Sequence, residues 1–140
     1  MRTHDGREYE VDAIVLATGF TATPRVNDGI KGLDGRSLND VYRERPQSYL
    51  GVTAAGFPNF FTVLGPFGAA GNQSAIFMLE GQFDYIVDAF TTLRDSKVHQ
   101  FNLRREVQRE FATEMHARSQ NGTWLNGGCS SYYTNGRGEN

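Results

Sequence analysis

Two short apolar runs stand out along the chain, each bounded by small or polar residues. Residues 13–17 read Ala-Ile-Val-Leu-Ala, and residues 60–64 read Phe-Phe-Thr-Val-Leu. Short apolar runs rich in β-formers are typical of strands that are buried on both faces of a mostly parallel sheet. The sequence therefore predicts two buried strands. The first ends at the corner Thr18-Gly19, and ligands of open α/β sheets bind beyond such strand ends.

Two longer segments carry apolar residues at helical spacing. The first covers residues 73–93, and its periodic apolar residues are Ile76, Leu79, Phe83, Ile86, Val87 and Phe90. The second covers residues 104–120, where one stripe contains Val107, Phe111 and Met115. Asn102 is placed to cap the start of this second helix, and Asn121-Gly122 is placed to end it.

Turn signals separate these elements. Asp5-Gly6 predicts a hairpin, residues 21–51 read as an irregular region with one short strand near Tyr49, and Gly56-Phe-Pro-Asn59 predicts a turn. A glycine-rich loop, residues 65–71, joins the second predicted strand to the first helix. The whole pattern predicts a single α/β domain.

The overall composition excludes several classes of protein. The chain has 140 residues and a formal net charge of −2, so no general field attracts nucleic acid. Arg104, Arg105 and Arg109 alternate with glutamates, which is typical of a solvated helix face. One cysteine, Cys129, cannot form an internal disulfide. With no secretory signal and no membrane-length apolar run, we expect a soluble, cytoplasmic protein.

No catalytic centre and no metal site emerge from the residue types and their spacing. The glycines at 65, 68 and 71 do not form a dinucleotide fingerprint or a P-loop, and the three histidines are scattered. The start of the first helix, at Gln73-Ser74, would present unpaired backbone N–H groups and a partial positive charge. Such a helix start suits an anionic or carbonyl-bearing ligand, or is an ordinary loop-to-helix junction.

Four pieces of the chain resemble, in order, the C-terminal part of flavin-dependent Baeyer–Villiger monooxygenases. They are residues 12–20, Tyr49-Leu-Gly51 with Gly56-Phe-Pro-Asn-Phe-Phe61, Leu64-Gly-Pro66 with Asn72-Gln-Ser74 and Glu80-Gly-Gln82, and Trp124 with residues 127–132. The Ala-Thr-Gly-Phe corner is also found in N- and S-oxidising flavin monooxygenases. Gly-Phe-Pro-Asn-Phe-Phe with a following Gly-Pro is more characteristic of the Baeyer–Villiger branch.

The resemblance implies a partial Rossmann-like FAD/NAD(P)-binding fold and a role in oxygenation. Enzymes of this family use FAD, NADPH and dioxygen to insert one oxygen atom into a ketone or aldehyde, giving an ester or lactone. It implies that Thr18 and Gly19 let the backbone pass close to the cofactor. It also implies that Gln73 and Ser74 direct N–H groups at the flavin, and that Phe67 touches the substrate.

The departures from the family pattern set further expectations. The family's two glycine-rich fingerprints, its segment with a His and a Trp-Pro pair, and its active-site Arg are not found in residues 1–140. We therefore expect a C-terminal part truncated at both ends, inactive and unable to hold FAD alone, and aggregation-prone or partly folded. Two alternatives stay open: an N- or S-oxidising flavin monooxygenase, and a non-catalytic remnant or interaction module. The oligomeric state and the carbonyl substrate are not indicated.

Overall fold

The computed structural model describes residues 1–19, 29–44 and 47–127. In these ranges the chain forms four helices: α1, Leu38–Glu44; α2, Ala75–Asp95; α3, Arg105–Ser119; and α4, Thr123–Asn126. Extended backbone in the same ranges pairs only at isolated antiparallel bridges, which join Arg2 to Glu8, Lys31 to Ser37, Tyr49 to Thr53 and Thr53 to Phe61. Phe20 and the tail from residue 128, with Cys129, lie outside the described residues.

The predicted hairpin at Asp5-Gly6 is confirmed. The Thr3 N–H donates to the Arg7 carbonyl at 2.9 Å, and the Tyr9 N–H donates to the Met1 carbonyl at 2.8 Å. Gly6 has a φ of 84°, a conformation that residues with a side chain rarely adopt. The turn chemistry therefore determines this short element locally.

The structure forms neither of the two predicted buried strands. Residues 13–17 are unpaired in the described part of the chain, and Val15 and Leu16 are 87% and 81% exposed. A strand buried on both faces needs a neighbouring strand on each side, and the described residues supply none for this run. In residues 60–64 only Phe61 forms a bridge, and Leu64 turns out of extended geometry with a φ of 52°.

A short helix, α1, lies inside the region predicted to be irregular. Ser37 precedes it, and its hydroxyl accepts from the Asp40 N–H at 3.1 Å and donates to the Asp40 carboxylate at 2.7 Å. This arrangement resembles a capping box, with Asp40 in the place of the usual Glu. A helix of seven residues is too short to show apolar periodicity, so Ser37-x-x-Asp40 was the available signal.

The main core forms where α1 packs against residues 47–68, which we call the platform. Leu38 and Tyr42 of α1 are buried together with Ala54 and Phe57 of the platform, and Ile30, Val41 and Phe60 pack around them. The platform begins with a tight turn whose central residues, Leu50 and Gly51, have φ values of 55° and 75°. Positive φ at both centres is the pattern of hairpin turns that match strand twist.

A row of aromatic rings attaches the platform to the two long helices. Tyr49 contacts Tyr85 of α2, with ring centroids 6.3 Å apart, and Phe111 of α3, with centroids 5.1 Å apart. Phe61 contacts Phe90 of α2 at 5.3 Å. Aromatic contacts therefore join the platform to both α2 and α3, in the edge and tilted geometries that aromatic pairs favour.

Both predicted long helices are confirmed, with two corrections. Arg104, rather than Asn102, is the N-cap of α3, because the Asn102 side chain instead accepts from the Gly56 N–H at 3.1 Å. The apolar stripe predicted for α2 is only partly covered, since Ile76, Phe83 and Val87 are 66%, 51% and 63% exposed. No helix in the described ranges is long and apolar enough to span a membrane.

Candidate functional site

Two glycines from distant parts of the chain meet where the platform turns into the glycine-rich loop. A Cβ atom added to Gly51 would lie 2.1 Å from the Cα of Gly68, and one added to Gly68 would lie 2.6 Å from the Cα of Gly51. No side chain fits at either position without displacing backbone. The contact brings the Leu50-Gly51 turn against residues 65–71 and fixes where that loop lies.

The side chain of Gln82, projecting from α2, locks this glycine contact. Its Oε1 accepts from the Leu64 N–H at 2.9 Å, and its Nε2 donates to the Gly68 carbonyl at 2.8 Å and to the Leu50 carbonyl at 3.3 Å. Gln82 is only 6% exposed. One carboxamide therefore satisfies three backbone groups from three segments, each of which would be costly to bury unpaired.

Strained backbone is concentrated around Gln82. Leu50, Leu64 and Phe67 all have positive φ values, of 55°, 52° and 62°. Each such residue costs of order 1–3 kcal/mol and persists only where the surroundings enforce it. Here the enforcing contacts are the Gln82 hydrogen bonds and the glycine contact. Strain of this kind clusters at functional sites, which makes the loop the leading candidate.

A groove of about 510 Å³ opens between this loop and α2. Its wall is largely apolar and aromatic, and it includes Leu50, Phe67, Phe77, Met78, Gln82 and Tyr85. Glu80 and Asp84 of α2 also line it. Burial raises the pKa of Tyr85 by more than the Thr53 hydroxyl lowers it, so the phenol stays protonated at neutral pH. A groove with an apolar wall and few polar groups can take an organic ligand.

Three of the five predicted site residues lie in this region. Phe67 lines the groove and packs edge-on against Phe111 and His116, at 6.3 Å and 5.1 Å between ring centroids. Ser74 is the N-cap of α2, and its hydroxyl accepts from the Phe77 N–H at 3.5 Å. Gln73 lies one residue earlier, where its N–H donates to the Ala70 carbonyl at 3.2 Å.

The other two predicted site residues lie apart. Thr18 and Gly19 are exposed, and no described hydrogen bond joins them to Gln73 or Ser74. A Cβ added to Gly19 would meet nothing within 4 Å, although its φ of 86° is one that glycine favours. Within the described residues, the two halves of the predicted cofactor site are therefore not assembled.

Charge is distributed unevenly around the site. Residues 46–79 contain no Asp, Glu, Lys, Arg or His, although charged residues make up 21% of the whole chain. The first turn of α2 has no acidic side chain to offset its partial positive charge. The described ranges hold no group of three or more His, Cys, Asp or Glu side chains that could bind a metal ion. The loop therefore contributes only uncharged groups to the site, and the charged side chains that line the groove are Glu80 and Asp84 of α2.

The residue that organises the site, Gln82, was not among the predicted site residues. Gln82 was part of the resembling tripeptide Glu80-Gly-Gln82, but it was given no role. The signal was available, because Gln82 falls on the same helical stripe as Met78, Tyr85 and Ala89. A single polar side chain on a buried apolar stripe needs hydrogen-bond partners in the interior.

Comparison with curated proteins supplies the evolutionary context. The chain is 37% identical over 130 residues to a Baeyer–Villiger monooxygenase of Pseudomonas aeruginosa, covering 92% of this chain and 25% of that protein. It is 37% identical over 138 residues to a Baeyer–Villiger monooxygenase of Streptomyces coelicolor, covering 97% and 27%. An FAD-binding monooxygenase of Aspergillus niger is 33% identical over 139 residues. The chain thus spans about a quarter of the length of these relatives. No family model matches it.

Solved structures show the same relationship at the level of the fold. A crystal structure of OTEMO in complex with FAD and NADP superposes with a TM-score of 0.66 and 22% sequence identity. The match covers 76% of this chain and 20% of OTEMO. The arrangement of helices and platform described above is therefore found within a larger protein. The resemblance noted from the sequence is confirmed: along nearly its whole length this chain is a relative of the Baeyer–Villiger monooxygenases.

Proposed function

We propose that this chain supplies one wall of the cofactor and substrate site of an FAD- and NADPH-dependent monooxygenase that oxidises a ketone or aldehyde to an ester or lactone. The single observation that carries the proposal is the Gln82-locked loop, a strained, uncharged backbone segment placed beside an apolar groove. When bound, FAD and NADPH supply the redox chemistry with dioxygen, and the protein supplies position and exclusion of water.

The residues around the loop fit a flavin in three respects. Residues 65–71 carry no charged side chains, so a flat ring system could lie directly against their backbone. The N-terminus of α2 favours the negative charge that a flavin carries when reduced, and no first-turn carboxylate opposes it. Phe67 and Phe77 offer an apolar surface for an uncharged carbonyl compound.

The exposed apolar residues support the proposal that this chain contains only part of the site. Ile76, Phe83 and Val87 of α2 and the run at residues 13–17 are left in solvent in this chain. The relatives are about four times as long as the part that matches here. We propose that the missing three quarters of such an enzyme cover these surfaces, pair with residues 13–17 as a buried parallel strand, and bring Thr18 and Gly19 to the cofactor. This is the partial Rossmann-like arrangement that the resemblance implied.

A segment exchange tests the proposal. In the Pseudomonas aeruginosa relative, the matched quarter is replaced by this chain, and the purified chimera is assayed for flavin content, NADPH oxidation and conversion of a ketone to an ester. We expect flavin retention and ester formation. A chimera that folds with its helices intact but retains no flavin would favour the non-catalytic alternative. A chimera that oxidises an added thioether but not the ketone would favour heteroatom oxidation.

Point variants in that chimera test the individual residues. Ser74→Ala removes the cap of α2, and Thr18→Val removes the hydroxyl at the corner. We expect each variant to lower flavin retention, whereas Ser96→Ala, at the opposite end of the same helix, leaves it unchanged. Equal flavin retention in all three variants would remove Ser74 and Thr18 from the cofactor site. The isolated chain, by contrast, should purify without stoichiometric flavin absorbance.

A further inference from the structure

Gly81, in the interior of α2, has a backbone and surroundings that do not require a glycine. Gly56 adopts a φ of 88°, and Gly51 and Gly68 face each other's backbone so closely that neither has room for a Cβ. Gly81 differs from both cases, because its φ is not positive and a Cβ added there would meet nothing within 4 Å. Any small side chain would therefore fit at this position within the described chain.

A glycine inside a helix destabilises it. Relative to alanine, it lowers the folding equilibrium by about fivefold, because glycine loses more backbone freedom on folding. Gly81 is the only glycine among the 21 residues of α2, and no contact within the described residues compensates for this loss. The reason for a missing side chain therefore lies in what occupies the space beside it.

The space beside Gly81 is the groove of about 510 Å³ between α2 and the glycine-rich loop. Phe77 and Tyr85 also line the groove, four residues before and four residues after Gly81, so the three share one face of the helix. Their Cα atoms at 77 and 85 are separated by about 12 Å along the helix axis. We call the gap that Gly81 leaves between these two aromatic side chains the notch.

The width of the notch is fixed by its neighbours. The Tyr85 ring packs against Tyr49 and Phe101, with centroids 6.3 Å and 6.5 Å apart. Gln82, the next residue after Gly81, is bonded to the loop through the Leu64 N–H and the Gly68 carbonyl. Because these bonds hold α2 in place, a large side chain at position 81 would enter the groove instead of displacing the helix.

The chemistry of the lining limits what the notch can receive. Aromatic side chains on both sides favour an apolar group, above all a ring that can pack against them. The charged side chains of the described lining are Glu80 and Asp84, which are both acidic and lie on the same helix. An anionic group in the groove would be repelled by both of them. The notch therefore fits a bulky, uncharged group.

We propose that Gly81 determines the substrate specificity of this site, and that the notch receives a bulky, uncharged group attached to the substrate carbonyl. A side chain at position 81 would fill the notch and exclude such a group, while a small ketone would need no space there. This inference rests on the proposed function of the groove. It adds a residue that selects among carbonyl compounds by size and charge.

Two ketones that differ only by a phenyl group test the proposal in the chimera with the Pseudomonas aeruginosa relative. The ratio of kcat/KM for 4-phenyl-2-butanone to kcat/KM for 2-butanone should fall about tenfold or more in Gly81→Leu. The matched control is Thr92→Leu, which adds the same side chain to an exposed position of α2 outside the groove lining, and it should leave the ratio unchanged. An unchanged ratio in Gly81→Leu, or an equal fall in both variants, would overturn the proposal.

A binding measurement separates failure of this inference from failure of the proposed function. If the chimera forms no ester from either ketone, the proposed function fails. Ligand-observed NMR on the full 140-residue chain then still tests the notch. We expect 4-phenyl-2-butanone to bind saturably to the chain and to Thr92→Leu, and about tenfold more weakly to Gly81→Leu. Binding that does not saturate, or that Gly81→Leu leaves unchanged, would count against a notch that takes the bulky group.

Thermal unfolding shows whether a protein segment occupies the notch instead of the substrate. In the 140-residue chain, Gly81→Ala should raise the unfolding midpoint by a few degrees, because alanine favours the helix and its Cβ meets open space. If a segment of the remaining enzyme filled the notch, Gly81→Leu would lower the midpoint of the chimera by several degrees and leave the ketone ratio unchanged. That result would overturn the proposal.

Discussion

The two sides of α2 differ in burial, and the more apolar side is the exposed one. On one side Gln82 and Ala89 are buried, and Tyr85 is half-buried against the aromatic residues of the platform. On the other side Ile76, Phe83 and Val87 are more than half exposed. Both sides have the periodicity that marks a core-facing helix. The difference therefore lies in what the rest of this chain places next to each side.

The same contrast separates the platform from the apolar run at residues 13–17. Val52 and Ala54 of the platform are buried, and Ala54 lies in the core with Leu38 and Tyr42 of α1. Residues 13–17 are more apolar and yet remain in solvent, because the described residues offer no sheet to join. An apolar residue is stabilised by burial, but the rest of the structure decides whether it is buried.

The covered side depends on a backbone contact that no side chain can replace. In Gly51→Ala, the new Cβ would meet the Cα of Gly68 at 2.1 Å, and Ala would also be strained at a φ of 75°. We expect the free energy of unfolding to fall by about 3 kcal/mol or more, as measured by urea denaturation followed by circular dichroism.

Gly35→Ala separates the effect of the steric clash from that of the backbone strain. Gly35 has a similar φ of 77°, but a Cβ there would meet nothing within 4 Å. We expect a loss of only about 1 kcal/mol from backbone strain alone. If the two variants lose equal stability, the contact between Gly51 and Gly68 does not hold the Leu50-Gly51 turn against residues 65–71.

Gln82 should show the next largest effect. Gln82→Met keeps the length of the side chain but leaves the Leu64 N–H and the Gly68 carbonyl without their partners. We expect a loss of about 2 kcal/mol in the free energy of unfolding and faster hydrogen exchange at the Leu64 amide. The exposed Gln120 supplies the control, since Gln120→Met should change stability by less than about 0.5 kcal/mol. Unchanged exchange at Leu64 would contradict the role assigned to Gln82.

Local elements of this fold could be predicted from the sequence, and contacts between distant segments could not. The hairpin at Asp5-Gly6 and both long helices depend on turn chemistry and apolar periodicity, which are present within each segment. The cap of α3 was predicted wrongly because Asn102 is used by Gly56, which is 46 residues away. The Gly51–Gly68 contact likewise depends on how the chain folds back between the two glycines. The sequence around either glycine does not indicate that path.

The candidate site shows the same limit. Gln73, Ser74 and Phe67 could be predicted together because all three lie within one loop-to-helix junction, and their roles stay predictions. Gln82 was missed because its three partners come from three different segments. Thr18 and Gly19 stay predictions, since their proposed neighbours come from a part of the relatives that this chain does not span.

The exposed side of α2 should give the smallest change in stability and so offers the most direct test of the contrast. The double substitution Phe83→Gln, Val87→Gln removes apolar surface that contacts solvent in this chain. We expect the free energy of unfolding to change by less than about 0.5 kcal/mol per site, and self-association in analytical ultracentrifugation to decrease.

Ala89→Gln on the covered side is the matched comparison, and overpacking there should cost about 1–3 kcal/mol. If the double variant is as destabilising as Ala89→Gln, the outer side of α2 is already covered within this chain. In the chimera with the Pseudomonas aeruginosa relative the ranking should change, because the added protein would bury Phe83 and Val87. The double variant should then destabilise the chimera strongly, because both sides of α2 would be buried there.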